Sequence, residues 1–432
     1  RAPAAASEAI VAALPARGSR PSVTYRQAGD GYLLLEYGDN VLDLALRMRV
    51  HLLMQALDAD PVAGVRELSP GVRSLQIRYD SHTIAQDALI ARLLEIEAGL
   101  ADVATLKVPT RVVHLPMAFE DSATLGAVRR YQETVRAEAP WLPNNVDFIQ
   151  RINGLESREQ VRDIVFGASY LVMGLGDVYL GAPCAVPIDP RHRLLTSKYN
   201  PARTFTAEGT VGIGGVYMCI YGMDSPGGYQ LVGRTLPIWN KFLKNPVFQD
   251  GKPWLLRFFD QVRFYPVTEA ELDALRADFR EGRAAVRIEE EVFDFAAHQR
   301  FLAQQADSIA AFQARQKRAF DAEVALWKAG EAEAAQHAAE TEPDLEPQAA
   351  LSEGERLVSA DMCGNVWKIP VQVGQSVSAG DTLVVVEAMK MELSVVAPAA
   401  GTVAAIRCAP GKPVNAGDPL IVLAEDVSCP VN

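Results

Sequence analysis

The residues with the clearest chemical purpose lie near the end of the chain, in VVVEAMKMELSV at positions 384–395. Lys390 stands there between Met389 and Met391. A lysine is a long, hydrated cation that can ordinarily occupy any surface position. This one falls at the junction of two similar segments, so its position is specified by the sequence around it.

The two similar segments form an internal repeat. GNVWKIPVQVGQSVSAGDTLVVVEA (364–388) aligns without a gap on GTVAAIRCAPGKPVNAGDPLIVLAE (401–425). Alternating apolar residues predict strands, and the two AGD tripeptides predict turns in which glycine adopts a positive φ. The repeat therefore predicts a β-sandwich of two-fold pseudosymmetry, with Lys390 exposed at the tip of the hairpin between the halves.

This segment resembles the biotin carboxyl carrier domain of biotin-dependent carboxylases over residues 357–425, most specifically in EAMKM. The resemblance implies that Lys390 carries biotin through an amide bond and that Met389 and Met391 flank the biotinyl group. Lipoyl carriers share the fold, but their lysine is usually not set between methionines. A lipoyl group and an unmodified hairpin lysine are the two alternatives.

Composition limits what the rest of the chain can be. Its 432 residues carry a net charge of −12, which argues against a nucleic-acid partner. No apolar run approaches the roughly 18 residues of a membrane span. The five cysteines form no CxxC pair and no metal spacing with the six histidines. We therefore expect a cytoplasmic protein with reduced thiols and no metal site, and we interpret the chain as a piece of something longer.

The sequence pattern changes character several times, which predicts a multidomain protein of the α+β and β classes. The predicted parts are a linker (1–24), a small α+β domain (25–107), a β-barrel (108–268), a helical segment (269–330), a flexible tether (331–355) and the carrier domain (356–426).

Within the helical segment, TEAELDALRADFREG begins with Thr268 and has Glu271 three residues later, which predicts a capping box. RIEEEVFDF is predicted to form a solvated helix face. A single long helix is predicted over 294–328, either as a brace for the tethered carrier or as a contact in a homo-oligomer.

The middle of the chain resembles the carboxyltransferase region of the urea carboxylase family. The similar stretches are VMGLGDVYLGAPCAVPIDPRHRLLTSKYNPARTF (172–205), GTVGIGGVYMCIYGMDSPGGYQLVGRTLPIWN (209–240) and WLLRFFDQVRFYPVTEAEL (254–272). More distantly, GTVGIGG, SPGGYQLVGRT and DQVRFYPV resemble subunits of bacterial 5-oxoprolinase. Those proteins pair a small α+β domain with a cyclophilin-like β-barrel, which is the organisation expected here.

The resemblance implies that the CO₂ unit of carboxybiotin is moved to a nitrogen of urea, giving allophanate. Some close relatives prefer guanidine. Because no Gly-rich phosphate loop precedes the carrier, the ATP-dependent biotin carboxylase module is expected outside this chain, as is the other half of the carboxyltransferase. A biotin protein ligase is the further implied partner. The alternative is a carrier and interaction module whose barrel is not itself catalytic.

Transfer of CO₂ to such a nitrogen requires a base and donors for the developing ureido oxyanion. Polar residues beside glycine and proline in the barrel loops are the candidates. They are His114 as a base, Asp177 and Tyr179 in GLGDVYLG, Lys198, Tyr199 and Arg203 in KYNPAR, and Gly227 and Gly228 in SPGGYQ, where a ligand can approach the backbone.

Each candidate also has a purely structural explanation. His114 fits a satisfied histidine at a strand end, Asp177 a turn aspartate, and Arg203 a buried ion pair. Tyr217 and Tyr221 alternate with apolar residues and are expected to pack in the core. Cationic guanidine requires a buried carboxylate and neutral urea an amide, but the sequence leaves the choice between these substrates open.

Overall fold

The computed structural model describes residues 9–176, 181–242, 244–341, 354–361, 364–388, 391–414 and 416–425. For 329–341, 388, 391–392, 413 and 425 it describes the backbone alone. None of the helices in these ranges has the length and apolar content needed to cross a membrane. The chain forms two compact units, Arg1–Ala332 and Glu333–Asn432.

The larger unit begins with a five-stranded antiparallel sheet packed against two helices. The strands are β1 (Ile10–Leu14), β2 (Val23–Gln27), β3 (Tyr32–Tyr37), β4 (Val65–Pro70) and β5 (Ser74–Tyr79), and the helices are α1 (Leu44–Ala59) and α2 (Gln86–Gly99). The strand order is β1-β2-β3-β5-β4. Apolar residues alternate along β2, β3 and β5, so one face of the sheet is buried against the apolar stripes of both helices.

A buried polar network joins this sheet to its helices. Arg49 of α1 donates to Glu97 Oε1 of α2 from Nε at 3.0 Å and from Nη2 at 2.5 Å. Tyr37 of β3 donates its hydroxyl to Glu97 Oε2 at 2.6 Å. Both carboxylate oxygens are thus bonded, which is the condition under which a charge can stay buried. Tyr25, equally buried on β2, has no hydrogen-bond partner for its hydroxyl among the described residues.

The two tyrosines provide a matched test of this network. Tyr37→Phe is expected to lower the free energy of unfolding by about 2 kcal/mol, because Glu97 loses a hydrogen bond to a charged group. Tyr25→Phe removes a hydroxyl that has no partner and is expected to cost close to nothing. Urea denaturation of both variants checks this. Equal losses would show that the Tyr37–Glu97 hydrogen bond contributes no stability of its own.

A β-barrel follows the small domain. Its strands are β6 (Lys107–Phe119), β7 (Tyr170–Gly176), β8 (Ala182–Pro187), β9 (Arg203–Thr206), β10 (Thr210–Gly214), β11 (Tyr217–Ile220), β12 (Ser225–Gly227), β13 (Gln230–Thr235), β14 (Gln261–Pro266) and β15 (Arg287–Asp294). Seven of them run in the order β13-β10-β11-β8-β7-β14-β6, and β6 pairs with β13 to close the barrel. β9 and β12 form a separate two-stranded ribbon.

The length of β6 allows this closure. Its second half pairs with β13 from Met117 to Phe119, and its first half pairs with β15 from Lys107 to His114. On its other edge it runs parallel to β14. Apolar side chains from the strands fill the interior of the barrel.

Six helices accompany the barrel in the described ranges. They are α3 (Ser122–Thr134), α4 (Asn145–Ile152), α5 (Arg158–Gly167), α6 (Glu269–Arg280), α7 (Phe295–Gln304) and α8 (Ala306–Thr341). The predicted capping box opens α6: Glu271 N donates to Thr268 Oγ1 at 3.3 Å, and Thr268 N donates to Glu271 Oε2 at 2.8 Å.

The first part of α8 packs on the barrel. Gln316 donates to Asn153 Oδ1 at 2.7 Å and to the Arg193 carbonyl at 2.8 Å. Further along, the Trp327 ring lies 5.7 Å from that of Phe148 on α4. This stretch of the helix is therefore part of the larger unit.

Three details differ from the sequence-based expectations. Ile10–Leu14, placed in the linker, is an edge strand whose Ala-rich sequence shows little alternation. RIEEEVFDF, expected on a helix, is mostly β15, an edge strand that keeps polar side chains because it is largely solvated. The long helix is divided at Gln305, and α8 continues through 331–341 of the predicted tether, where alanine and glutamate have high helix propensity.

The smaller unit is a β-sandwich. Its strands are β16 (Glu355–Ser359), β17 (Gly364–Lys368), β18 (Ser376–Val377), β19 (Thr382–Ala388), β20 (Met391–Val396), β21 (Gly401–Ile406), β22 (Pro413–Val414) and β23 (Pro419–Glu425). They form two four-stranded sheets in the orders β16-β23-β21-β18 and β20-β19-β17-β22. The offset that carries Gly364 to Gly401 also carries β16–β19 onto β20–β23, so the two sheets exchange under the repeat.

Turns repeat with the strands. Gly380 and Gly417, the glycines of the AGD tripeptides, both have φ of 92°. Their amides donate to equivalent carbonyls, Gly380 N to Ala397 O and Gly417 N to Ala360 O, each at 2.8 Å. The predicted pseudosymmetric sandwich is thereby confirmed.

Candidate functional site

The lysine hairpin is formed by β19 and β20. These strands pair in register up to Ala388 opposite Met391. Met389 and Lys390 are the two residues between those paired ends, and they lie outside the described residues. The two strands that flank the predicted attachment residue are therefore paired right up to it on both sides.

In the barrel, the buried Arg203 is surrounded by neutral acceptors. The residue is 1% exposed. Nη1 donates to the Tyr229 carbonyl at 2.7 Å, and Nε and Nη2 each lie 3.3 Å from Thr206 Oγ1. Nη2 also lies 3.4 Å from the Tyr221 hydroxyl. No ion pair of Arg203 is found among the described residues, so the predicted alternative of a buried ion pair is not what the structure shows there.

Tyr199 forms one side of the Arg203 pocket. The guanidinium carbon lies 4.3 Å from the centroid of its ring, within the range of a cation–π contact. The Tyr199 hydroxyl donates to Asn145 Oδ1 at 3.0 Å, and Asn145 Nδ2 donates back at 2.7 Å. Burial raises the pKa of Tyr199, so its hydroxyl stays protonated at neutral pH.

The backbone at Gly227 and Gly228 lies against this cluster. Gly228 O accepts from Tyr199 N at 2.7 Å. Gly227 pairs with Arg203 in the β9–β12 ribbon, and a Cβ added at Gly227 would fall on the Tyr221 hydroxyl. The Cβ of an alanine at position 228 would meet nothing closer than 3.7 Å. Gly227 is therefore required for close packing, whereas a methyl group at Gly228 would make ordinary van der Waals contacts.

These neighbouring glycines give the second testable prediction. Gly227→Ala is expected to cost about 2 kcal/mol of stability, because the methyl group displaces Tyr221 from Arg203 in a packed site. Gly228→Ala is the matched control and is expected to change stability by less than about 0.5 kcal/mol. Thermal melting of the two variants measures the difference. Equal melting temperatures would show that the site relaxes around the added methyl group.

Lys198 is the exposed member of this group. Its Nζ lies 5.1 Å from the centroid of the Tyr229 ring. A Cβ added to Gly212 or Gly214 would strike the Tyr229 side chain, so the glycines of GTVGIGG make room for that ring. A ligand can therefore reach Lys198 and Tyr229. Arg203 is buried beneath them and holds the Tyr229 backbone through its carbonyl.

A row of small residues runs across four neighbouring strands of the barrel. Gly212 pairs with Cys219, and Gly174 pairs with Cys184. Because Met218 pairs with Ala185 in an antiparallel ladder, Cys219 and Cys184 are also neighbours. Neither cysteine forms a disulfide bond, and burial raises the pKa of Cys184, so its thiol stays protonated and is a poor nucleophile.

The structure does not join all the predicted site residues. Asp177 and Tyr179 lie outside the described residues, in the link between β7 and β8. His114 lies on β6, where its Nε2 is buried 3.6 Å from Glu289 Oε1 without a hydrogen-bond partner among the described residues. No described contact joins His114 to the Lys198 group. The role of His114 as a base stays a prediction.

Sequence reasoning missed Asn145 and Tyr229. Asn145 is buried at the start of α4 and also accepts from Leu231 N at 2.8 Å, which ties the tyrosine to β13. No local pattern reveals these contacts, since the partners are far apart in sequence. The one available signal was the alternation of Gly212 and Gly214, which leaves space for a large side chain.

Comparison with known proteins gives the family. Residues 23–249 match the family model described as carboxyltransferase domain, subdomain C and D, and residues 357–423 match the model described as biotin-requiring enzyme. The chain is 46% identical over 395 residues to a urea amidolyase of Lachancea kluyveri, covering 91% of this chain and 21% of that protein. A urea amidolyase of Saccharomyces cerevisiae is 45% identical, with coverage of 89% and 21%.

A solved structure agrees with this assignment. The urea carboxylase of Kluyveromyces lactis superposes with a TM-score of 0.70 at 42% identity, covering 96% of this chain and 36% of that one. The chain belongs to the carboxyltransferase family of subdomains C and D, with a biotin carrier domain following. It spans about a fifth of the length of the urea amidolyases that it matches.

The comparisons confirm the predicted family resemblance, the fold class and biotin as the cofactor of the carrier domain. The domain boundaries and the roles of the individual site residues stay predictions. Among the described residues, no group of three or more His, Cys, Asp or Glu side chains is arranged to hold a metal ion.

Proposed function

We propose that this chain is the carboxyltransferase and carrier portion of a biotin-dependent urea carboxylase, an enzyme of the ligase class. One observation carries the proposal. A single alignment to a urea amidolyase, at 46% identity, runs through both the carboxyltransferase region and the carrier domain in the same order. A barrel that only bound partners would have no need of an attached carrier.

The carrier fits a biotinyl group on Lys390. The strands on either side are paired up to Ala388 and Met391, and Leu383 and Val384 of β19 are fully buried. The base of the hairpin is therefore anchored in the core, and the two-residue link can present a modified side chain. Biotin, when attached, supplies the CO₂ unit that the acceptor nitrogen receives.

The barrel residues would bind and orient the acceptor. Lys198 would stabilise negative charge that develops on the ureido oxygen, since it is exposed beside Gly228. Arg203 and Tyr199 would hold Lys198 beside Gly228, through the hydrogen bond between Tyr199 N and Gly228 O. The acceptor nitrogen must lose a proton, and His114, Asp177 and Tyr179 are the candidate residues to accept it.

The test uses the full-length enzyme with its biotin carboxylase module, the other carboxyltransferase half and biotin attached by a biotin protein ligase. We expect ATP hydrolysis and incorporation of labelled bicarbonate that depend on urea. Guanidine serves as the competing acceptor, and a higher kcat/KM for guanidine would replace urea in the proposal. Bicarbonate incorporation that depends on neither acceptor would overturn it.

A further inference from the structure

Arg47 of α1 is a buried cation without a counter-ion. Its side chain faces the barrel and is 0% exposed. Nε donates to the Met173 carbonyl of β7 at 2.7 Å. Nη1 and Nη2 are buried and have no hydrogen-bond partner among the described residues.

Such an arrangement lowers the stability of the fold, so we expect it to serve a function. A buried charge that lacks a partner strongly destabilises a protein, and buried donors are almost always bonded. Arg49, two residues further along the same helix, shows the ordinary solution, because Glu97 accepts from its Nε and Nη2. The Phe258 and Phe259 rings, 5.5 and 4.9 Å from the Arg47 guanidinium carbon, offer only partial compensation.

Open space lies beside the strand that Arg47 contacts. Met173, which accepts from Arg47, precedes Gly174, where the register of β7 against β8 shifts. A Cβ added at Gly174 would meet nothing within 4 Å, so the space beside this strand is open. The Phe258 ring, whose centroid lies 5.5 Å from the Arg47 guanidinium carbon, is 39% exposed, so the guanidinium lies close to the protein surface. A ligand of Arg47 requires this ring to rotate away.

We propose that Arg47 binds the carboxylate of the carboxylated acceptor, with Nη1 and Nη2 donating to it. This inference rests on the proposed function. Two parallel N–H groups match the two oxygens of a carboxylate. Urea is neutral and gains a full negative charge when it is carboxylated, so a cation that is unpaired before transfer and paired after it favours the product side of the reaction.

The probe is malonamate, a stable analogue of allophanate in which a methylene group replaces the nitrogen between the two carbonyl carbons. Malonamide, its neutral counterpart, controls for the charge. We expect malonamate, but not malonamide, to bind the chain in calorimetry and to raise its melting temperature by about 3 °C or more. Arg47→Lys keeps the positive charge but lacks the two parallel N–H groups of a guanidinium, and it is expected to weaken malonamate binding about tenfold.

Arg47→Met gives the sharper result. It removes the buried, unpaired charge with little change in volume, and this gain offsets the lost hydrogen bond to the Met173 carbonyl. The variant is therefore expected to melt at the same or a higher temperature than the wild-type chain and to lose malonamate binding. In the full-length enzyme, the same variant is expected to lower kcat/KM for urea. Arg49→Met is the matched control, expected to melt lower because Glu97 loses its cationic partner and keeps only the hydrogen bond from Tyr37.

Several outcomes would overturn the inference. An Arg47→Met chain that is unfolded or melts lower than wild type would show that the charge serves the fold. Undiminished malonamate binding in that variant, or none in the wild-type chain, would contradict the site directly. Malonamate binding through Arg47 in an enzyme without urea-dependent activity would reject the proposed function while leaving the anion site in place.

Discussion

Lys390→Arg is expected to abolish biotin incorporation and, with it, all transfer of CO₂ by the full-length enzyme. Arginine keeps the positive charge at the hairpin, but its guanidinium is essentially always protonated and does not form the amide that a lysine amine forms. The loss should be complete, because Lys390 is proposed as the single point of attachment. Co-expression with a biotin protein ligase, followed by intact-mass measurement and peptide mapping, reads the result.

Lys412→Arg is the control for this experiment. Lys412 is an exposed lysine of the same domain, and it lies in the turn before β22. Its replacement is expected to leave one biotinyl group on Lys390. Biotin on the Lys390→Arg chain, or a lipoyl group on the wild-type chain, would contradict the proposed attachment.

The lysine and its hairpin were predictable from the sequence because the carrier domain encodes its symmetry locally. Each half has its own alternation of apolar residues and its own turn glycine, as at Gly380 and Gly417. The contacts that close the sandwich occur in equivalent pairs under the repeat, as the Gly380–Ala397 and Gly417–Ala360 hydrogen bonds do. A pattern with that much internal redundancy can be detected without any knowledge of tertiary contacts.

The barrel was less accessible to such reasoning. Short strands and frequent glycines predicted the class of fold, but the order of the strands depends on β6, which pairs with three others at different positions. The edge strands β1 and β15 were missed because a solvated edge need not alternate. Helix α8 extends past its predicted end because alanine and glutamate in 331–341 have high helix propensity.

The candidate site was predicted by residue type but not by environment. Lys198, Tyr199 and Arg203 are close together in sequence, and the structure does bring Tyr199 and Arg203 into contact. Their separation into an exposed lysine and a buried arginine depends on Asn145 and Tyr229, which come from other elements. Burial of a particular polar side chain is a property of the whole fold, and a local motif does not contain it.

Arg203→Met is therefore expected to disturb the site by removing the buried hydrogen bonds beneath it. The Tyr229 carbonyl would lose the hydrogen bond from Nη1, and Thr206 Oγ1 and the Tyr221 hydroxyl would lose theirs from the same guanidinium. Hydrogen bonds to charged groups contribute about 1.5–3 kcal/mol each, although the loss is partly offset because a buried charge is also removed. We expect a net cost near 3 kcal/mol, measured by urea denaturation.

The same variant is expected to lower kcat/KM for urea about 100-fold in the full-length enzyme. Tyr199 would lose the guanidinium that lies on its ring, and its amide holds Gly228 beside Lys198. A displacement of roughly 1 Å at the acceptor site is enough for an effect of this size. Because Arg203 is buried, it acts through the segment that it holds and not by touching urea.

Tyr221→Phe separates the two roles of Arg203. It removes one weak acceptor, 3.4 Å from Nη2, and leaves the Tyr229 carbonyl and the Tyr199 ring in contact with the guanidinium. Stability should fall by about 1 kcal/mol or less, and kcat/KM should stay within about threefold of wild type. A wild-type kcat/KM for Arg203→Met, at a temperature where the variant is folded, would contradict this role. Arg203 would then have no part in positioning Lys198, and the acceptor would have to be bound elsewhere on the barrel.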